Sequence, residues 1–274
     1  MRPLTVRLAR NLSQPLTLLN WWQYQRSRHP ANDVILVTLP SAGTHWLRTM
    51  LAQALIESYD LNERIQSIQH ETLIPTFLDK KQRFKYNENI NIPRIQHSHA
   101  PYSWLFRRRR ILFLVRDLRD TLVSHYRVAQ PRLRLPEDFS AFIRGETIDR
   151  RRHHDLKSRI QFLNSWSTGL QKSYDFKVVH YETLRTNTYD ELQDILSFIG
   201  LEPLTSKQLS QAVEVGSVGN MKKLENENSE RPFQKVSGSP SKYQDYFNEN
   251  DKNFFTKEAS LHLKNVFGYD YSTW

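Results

Sequence analysis

Four short stretches of the chain carry side chains suited to chemistry on an anion. The first is Pro40, Ser41, Ala42, Gly43, Thr44, His45, Trp46, between a run of β-formers at 34–38 and an amphipathic stretch. A glycine turn opening a helix can set backbone N–H groups and a threonine hydroxyl around an anion, with the helix dipole behind them. The nucleoside triphosphatase loop, G-x-x-x-x-G-K-[ST], needs an earlier glycine and a lysine, and both are missing here. A triphosphate with its magnesium is therefore a poor fit. Taken alone, the stretch reads equally well as a plain strand–turn–helix.

The second stretch is His97, Ser98, His99, where an imidazole titrating near neutrality can take a proton from an attacking hydroxyl or amine. The third, RDLRDTLVSHY from Arg116 to Tyr126, puts Arg116 and Arg119 at a strand end and Ser124 on the helix that follows. Arg116 can hold a phosphate through charge-assisted hydrogen bonds while Ser124 donates from the side. The plainer alternative is an ion network of Arg116, Asp117, Arg119 and Asp120 at a helix start. The fourth is Tyr181 with Glu182 after KVVHY. A metal held by His45, His97 and His99 is disfavoured because no carboxylate ligand pattern accompanies them. We expect no metal.

The elements that must position these residues follow from periodicity. VILVT (34–38), RIQHS (94–98), ILFLV (111–115) and KVVHY (177–181) read as strands. Trp46, Leu47, Met50, Leu51, Ala54 and Leu55 form one helical stripe; Leu156, Ile160, Leu163 and Leu170 form another. Leu192, Ile195, Leu196 and Ile199 mark a helix that ends at Gly200, and residues 206–214 one more. A last helix runs from about Asp251 and closes at Gly268. Residues 60–92 are expected to be short helices and loops, 130–155 an Arg-rich surface excursion, and 216–245 a mobile loop. Apolar strands alternating with amphipathic helices imply an α/β protein of three layers, a central parallel sheet flanked by helices. Ligands of such sheets bind at the carboxyl ends of the strands, so the four stretches should converge.

With 274 residues and 38% hydrophobic content, the chain is long enough for one large core. We expect a basic N-terminal arm over 1–32, which contains five arginines and no acid, and a single domain over 33–274. Trp21, Trp22 and Tyr24 favour a docked arm over a transit peptide. The longest uninterrupted apolar run, Ile111 to Val115, is too short to span a membrane. The net charge of +10 suggests an anionic partner, be it a phosphorylated cofactor, an acidic polymer, nucleic acid or a membrane surface. The run Arg107–Arg110 is expected to be a solvated edge. With no cysteine and no membrane span, a cytoplasmic setting is expected.

Together the four stretches resemble the sulfotransferases that use 3′-phosphoadenosine 5′-phosphosulfate (PAPS). That family's P-K-S-G-T-T-W loop is similar to Pro40–Trp46, and its R-D-x-x-D-x-x-x-S-x-Y signature is complete from Arg116 to Tyr126. K-T-H-x-P matches His97–Pro101, Y-E-x-L matches Tyr181–Leu184, and S-F-x-x-M matches Ser217–Met221. The resemblance extends from about residue 33 to the end. It implies a P-loop-like sulfotransferase fold and transfer of a sulfonate from PAPS to a hydroxyl or amine of a small-molecule acceptor. 3′-phosphoadenosine 5′-phosphate (PAP) would be the product, and nucleic acid no partner. His99 would be the base, and Ser41, Ala42, Gly43, Thr44 and His45 would hold the 5′-phosphosulfate. Arg116 and Ser124 would hold the 3′-phosphate, helped by Lys235 and Gly238. Trp46, Tyr181 and Ser217 would surround the adenine, and 216–245 would fold over it as a lid.

The departures are chemical. The family's loop lysine is Ser41 here, and the lysine two before the base is His97. Protonated His45 and His97 would take over part of that charge, and activity would then fall as pH rises. The competing reading is a non-catalytic PAPS, PAP or polyanion binder on the same scaffold. A third is a nucleotide kinase with an eroded phosphate loop.

Overall fold

The computed structural model describes residues 15–66, 70–133, 135–136, 138–146, 155–227 and 243–274. Strands β1 (Asp33–Thr38), β2 (Arg94–Ser98), β3 (Arg110–Val115) and β4 (Asp175–His180) form one sheet in the order β2-β1-β3-β4. Every pairing is parallel; β1 runs beside β2 with Asp33 opposite Arg94, and beside β3 with Val34 opposite Arg110. All six residues of β1 are buried, as a strand covered on both faces requires.

Side-chain alternation divides the core in two. Val34, Leu36, Leu112 and Leu114 point to the face covered by helix α2 (Thr44–Ser58) and, farther along the chain, by α7 (Thr188–Ile199) and α8 (Ser206–Val215). Ile35, Val37, Phe113 and Val115 point to the other, where α3 (Leu118–Leu133), α4 (Phe139–Arg144), α5 (Leu156–Gly169) and α10 (Glu249–His262) pack around Trp166 and Phe255. Local chemistry ends the helices where expected: Gly200 closes α7 at φ +79°, its N–H donating to the Leu196 and Ser197 carbonyls. Reciprocal capping boxes, Thr205 with Gln208 and Asn248 with Asp251, open α8 and α10. Helix α10 stops at His262, short of Gly268, which forms a separate turn at φ +85°.

Helix α1 (Pro15–Arg26) lies across the strand starts. Arg94 donates to the Tyr24 carbonyl at 2.7 Å, and Arg109 donates to the Gln25 carbonyl at 2.6 Å. Arg94 and Arg109 also pair with Asp33, which is 1% exposed. Two of the four arginines expected on a solvated edge are therefore structural: Arg109 holds Asp33, and Arg110 donates to the Ala31 and Ile199 carbonyls.

Three regions differ from expectation. Residues 60–92 contain turns and one bridge, Thr76 beside His97, but no helix among those described. The segment read as a surface excursion holds α4, whose Phe139, Phe142 and Ile143 are buried; residues 147–154 lie outside the described residues. The segment read as a mobile loop starts with helix α9 (Val218–Glu227), which buries Met221 and Leu224 against Trp46 and Ile65. In both cases polar neighbours mask a few apolar residues at helical spacing. Residues 228–242, with Lys235 and Gly238, lie outside the described residues.

Candidate active site

The carboxyl ends of the four strands open into one cavity of about 530 Å³. Each strand contributes: Ser41, Gly43, Thr44, His45 and Trp46 after β1, His99 after β2, Arg116 after β3 and Tyr181 after β4. Ser124 reaches it from α3, and Ser217 from the turn before α9. Residues dispersed over more than 170 positions of sequence thus share one chamber.

The β1–α2 turn is shaped by backbone freedom. Gly43 is the N-cap of α2 at φ +97°, and it offers the first-turn N–H groups no side-chain acceptor. A Cβ at Gly43 would stand 2.6 Å from the Tyr181 ring, so the tyrosine can lie against the turn only because this residue is glycine. Ser41 takes φ +70°, an unusual conformation for a side-chain-bearing residue. Ala42 is fully buried beneath the turn and does not line the cavity.

His99 is held by Thr38. Its Nδ1 lies 2.9 Å from the Thr38 carbonyl, which can only accept, so Nδ1 carries the proton and Nε2 the lone pair. The same nitrogen is 3.1 Å from Thr38 Oγ1, and that hydroxyl is 2.6 Å from Thr44 Oγ1. Either hydroxyl can donate in the Thr38–Thr44 bond, and Thr44 lines the cavity. One chain of hydrogen bonds thereby links the His99 ring through Thr38 to the Thr44 hydroxyl at the turn.

Arg116 bridges three elements. It donates to the Ser41 carbonyl at 3.1 Å, stacks on the Tyr181 ring at 4.4 Å, and reaches Asp120 at 3.4 Å. Burial pushes the Asp120 carboxyl up to about 6, against the pull of Arg116. The neighbouring Arg119 turns away, into Asp117 and the carbonyls of Asp270 and Thr273. Glu182 ties the loop to the chain terminus, accepting from the Asp117 N–H at 3.2 Å and the Tyr269 hydroxyl at 2.5 Å. Trp46 donates to the Gly216 carbonyl at 2.8 Å and meets Tyr181 edge-on at 5.6 Å.

His97 is not where the sequence reading puts it. It is buried on the α2 side of the sheet, outside the cavity, with Nε2 3.5 Å from an Arg48 nitrogen. Burial first, and then the Arg48 guanidinium, hold its imidazole down at about 2. His97 is neutral at physiological pH and supplies no charge in place of the missing lysine, which corrects that expectation. His45 lines the cavity.

Two cations escaped the sequence reading. Arg48 is buried in α2 and donates to the Ile74 carbonyl at 2.7 Å; burial lowers it to about 10. Arg159, fully buried in α5, donates to the Pro40 carbonyl directly under the turn, and burial lowers it to about 9. Both stay protonated near neutrality. Each sits within an amphipathic stretch where arginine is ordinary, so no pattern sets it apart. Arg185, Thr188 and Glu214 also line the cavity without having been singled out. Among the described residues no group of three or more His, Asp or Glu side chains forms a metal cage.

A sulfotransferase domain model matches residues 31–274, nearly the whole chain. The chain belongs to the sulfotransferase family. Its similarity to individual sulfotransferases is low: 24% identity over 179 residues to Mus musculus sulfotransferase 2A6, covering 61% of this chain and 59% of that one. It is 27% identical over 213 residues to the flavonol 3-sulfotransferase of Flaveria bidentis, covering 72% and 64%. The chain therefore spans about three fifths of the length of these relatives. Among solved structures, mouse sulfotransferase SULT7A1 complexed with PAP superposes with a TM-score of 0.60 at 18% identity, covering 90% of this chain and 88% of that one. Retinol dehydratase in complex with androsterone and inactive cofactor PAP gives 0.59 at 16% identity, covering 94% and 88%. Both share the fold of this sulfotransferase-family chain. Among the described residues, no helix is long and apolar enough to cross a membrane.

Proposed function

We propose that the chain transfers a sulfonate group from PAPS to the hydroxyl or amine of a small-molecule acceptor, with His99 as general base and PAP as the product. The observation that carries this reading is the meeting, in one cavity, of the Gly43 turn, Arg116 with Ser124, and His99 in the tautomer that leaves Nε2 basic. Two anion-binding positions beside an imidazole suit a nucleotide with phosphates at both its 3′ and 5′ ends. The solved relatives of this fold that carry PAP in their crystals support the nucleotide, and androsterone, bound in one of those complexes, supports the size class.

PAPS brings an activated sulfonate on a phosphate leaving group. The residues do the rest. The α2 N terminus and the Thr44 hydroxyl face the 5′ end, where negative charge grows on the leaving oxygen as the sulfur–oxygen bond breaks. His99 Nε2 takes the proton from the acceptor as its oxygen or nitrogen bonds to sulfur. The Thr38 carbonyl stabilises the resulting imidazolium through Nδ1–H. Arg116 and Ser124 hold the 3′-phosphate, Trp46, Tyr181 and Ser217 enclose the adenine, and Lys235 and Gly238 add to the 3′ clamp. Arg159 beneath the turn supplies part of the positive potential that a loop lysine would give, and Ser41 contributes a neutral donor.

Transfer of labelled sulfonate from PAPS to a panel of phenols, alcohols and amines tests the reading. His99→Ala should lower turnover by about 10² to 10⁴ while PAP affinity stays within a few fold. PAP binding with no transfer to any acceptor would favour the non-catalytic alternative. Failure to bind PAP would remove both.

A further inference from the structure

We propose that the amino-terminal edge of the sheet, opposite the active-site cavity, docks on an anionic lipid bilayer. Five of the eight large apolar side chains exposed among the described residues gather at this edge: Leu19, Ile90, Trp104, Tyr174 and Phe176. Trp104 is 67% exposed. Contacts tie Trp104, Tyr174 and Ile90 to α1 and the strand starts. Trp104 stacks on Trp22 of α1 at 5.5 Å; the Tyr174 N–H donates to the Arg109 carbonyl; Asn32 donates to the Ile90 carbonyl.

Positive charge predominates at this edge. Residues 15–32 contain no acid, nor do residues 89–116. Arg26, Arg107 and Arg108 are exposed there, and Arg26 lies over the Trp22 ring. Of the nearest acids, Glu88 is exposed beside Ile90, Asp33 is buried between Arg94 and Arg109, and the half-exposed Asp175 faces Arg110 at 3.7 Å. On α1, Leu19, Trp22 and Arg26 share one stripe by their spacing, with Trp21 turned into the protein. Aromatic rings flanked by arginines match the water–lipid boundary, where tryptophan and tyrosine sit at headgroup depth and arginines meet anionic lipids. An acidic protein would satisfy the arginines but leave the exposed rings unexplained. Docking at this edge leaves the cavity at the opposite strand ends open to solvent.

The experiment is cosedimentation of the full chain with phosphatidylcholine vesicles, with and without about 30% phosphatidylserine. Binding is expected only to the anionic vesicles, with a blue shift of tryptophan fluorescence, and loss at about 1 M salt. Arg107→Glu with Arg108→Glu should weaken it by at least about 10- to 30-fold, and Trp104→Ser should abolish most of the fluorescence shift. Lys207→Glu with Lys222→Glu, an equal charge change on α8 and α9, should leave binding nearly intact. Unaltered unfolding curves show that the variants fold. Absence of binding to anionic vesicles, equal binding to neutral ones, or equal loss from both double variants would overturn the proposal. Heparin-competed binding without a fluorescence shift would assign the edge to a soluble polyanion instead.

Discussion

His97 and His70 show how burial changes the meaning of a histidine. Thr49 and the His70 ring nitrogen lie 2.9 Å apart, and burial, with Arg48 nearby, holds that ring down at about 3. His97 lies at about 2 for the same two reasons. Both folded-state values fall below the ordinary value near 6.5, so both rings stay neutral in the native protein while the unfolded chain takes up protons below that pH. Stability from these groups is complete above about pH 6.5 and is lost as pH falls, with a slope of up to about 2.7 kcal/mol per pH unit for two sites. Urea unfolding at about pH 7.5 and pH 5.5 checks this. The double variant His70→Gln with His97→Gln should show a flatter dependence over that interval; an equal slope would place the acid sensitivity elsewhere. The same burial removes His97 as a source of pH-dependent activity.

At the scale of elements, Arg116 acts as a rivet joining the end of β3 to the Ser41 carbonyl and the first turn of α6 (Tyr181–Thr186). Its planar fork both donates and stacks, which a lysine cannot reproduce. Arg116→Lys should weaken PAP binding about tenfold or more by calorimetry, and should barely alter binding of 5′-AMP, which has no 3′-phosphate. An equal loss for both nucleotides would move Arg116 to a purely structural role. The placement of these elements was legible because each strand is a short apolar run stopped by a polar motif, and parallel sheets bring such ends together. Helix α4 was hidden since its three buried apolar residues stand among charged neighbours. Helix α9 was hidden by the polar composition around Met221 and Leu224. The Thr38–His99 contact spans 61 positions and was invisible, because nothing local to either residue announces the other. Arg48 and Arg159 lie beyond sequence reading for a related reason: burial of a cation is decided by elements far away in the chain.

For the whole molecule, cations surround the cavity: Arg116 and Arg185 line it, and Arg159 is buried under the turn at its floor. Burial first, and Arg116 in smaller part, lower Arg159, and the chain as a whole carries +10. A ligand that binds only the folded state stabilises it by RT ln(1 + [L]/Kd), about 2.7 kcal/mol at a hundredfold excess over Kd. For a chain of this length that corresponds to a rise in unfolding midpoint of roughly 5 to 10 °C. PAP should produce such a rise in a thermal scan. ATP with magnesium at equal concentration should produce much less, because the turn has no lysine for a γ-phosphate. Raising the salt should shrink the PAP effect, since part of the attraction is the long-range field of a cationic protein for a multiply charged anion. A larger shift from ATP–magnesium than from PAP would reverse the order of the candidate nucleotides and return the chain to the kinase reading.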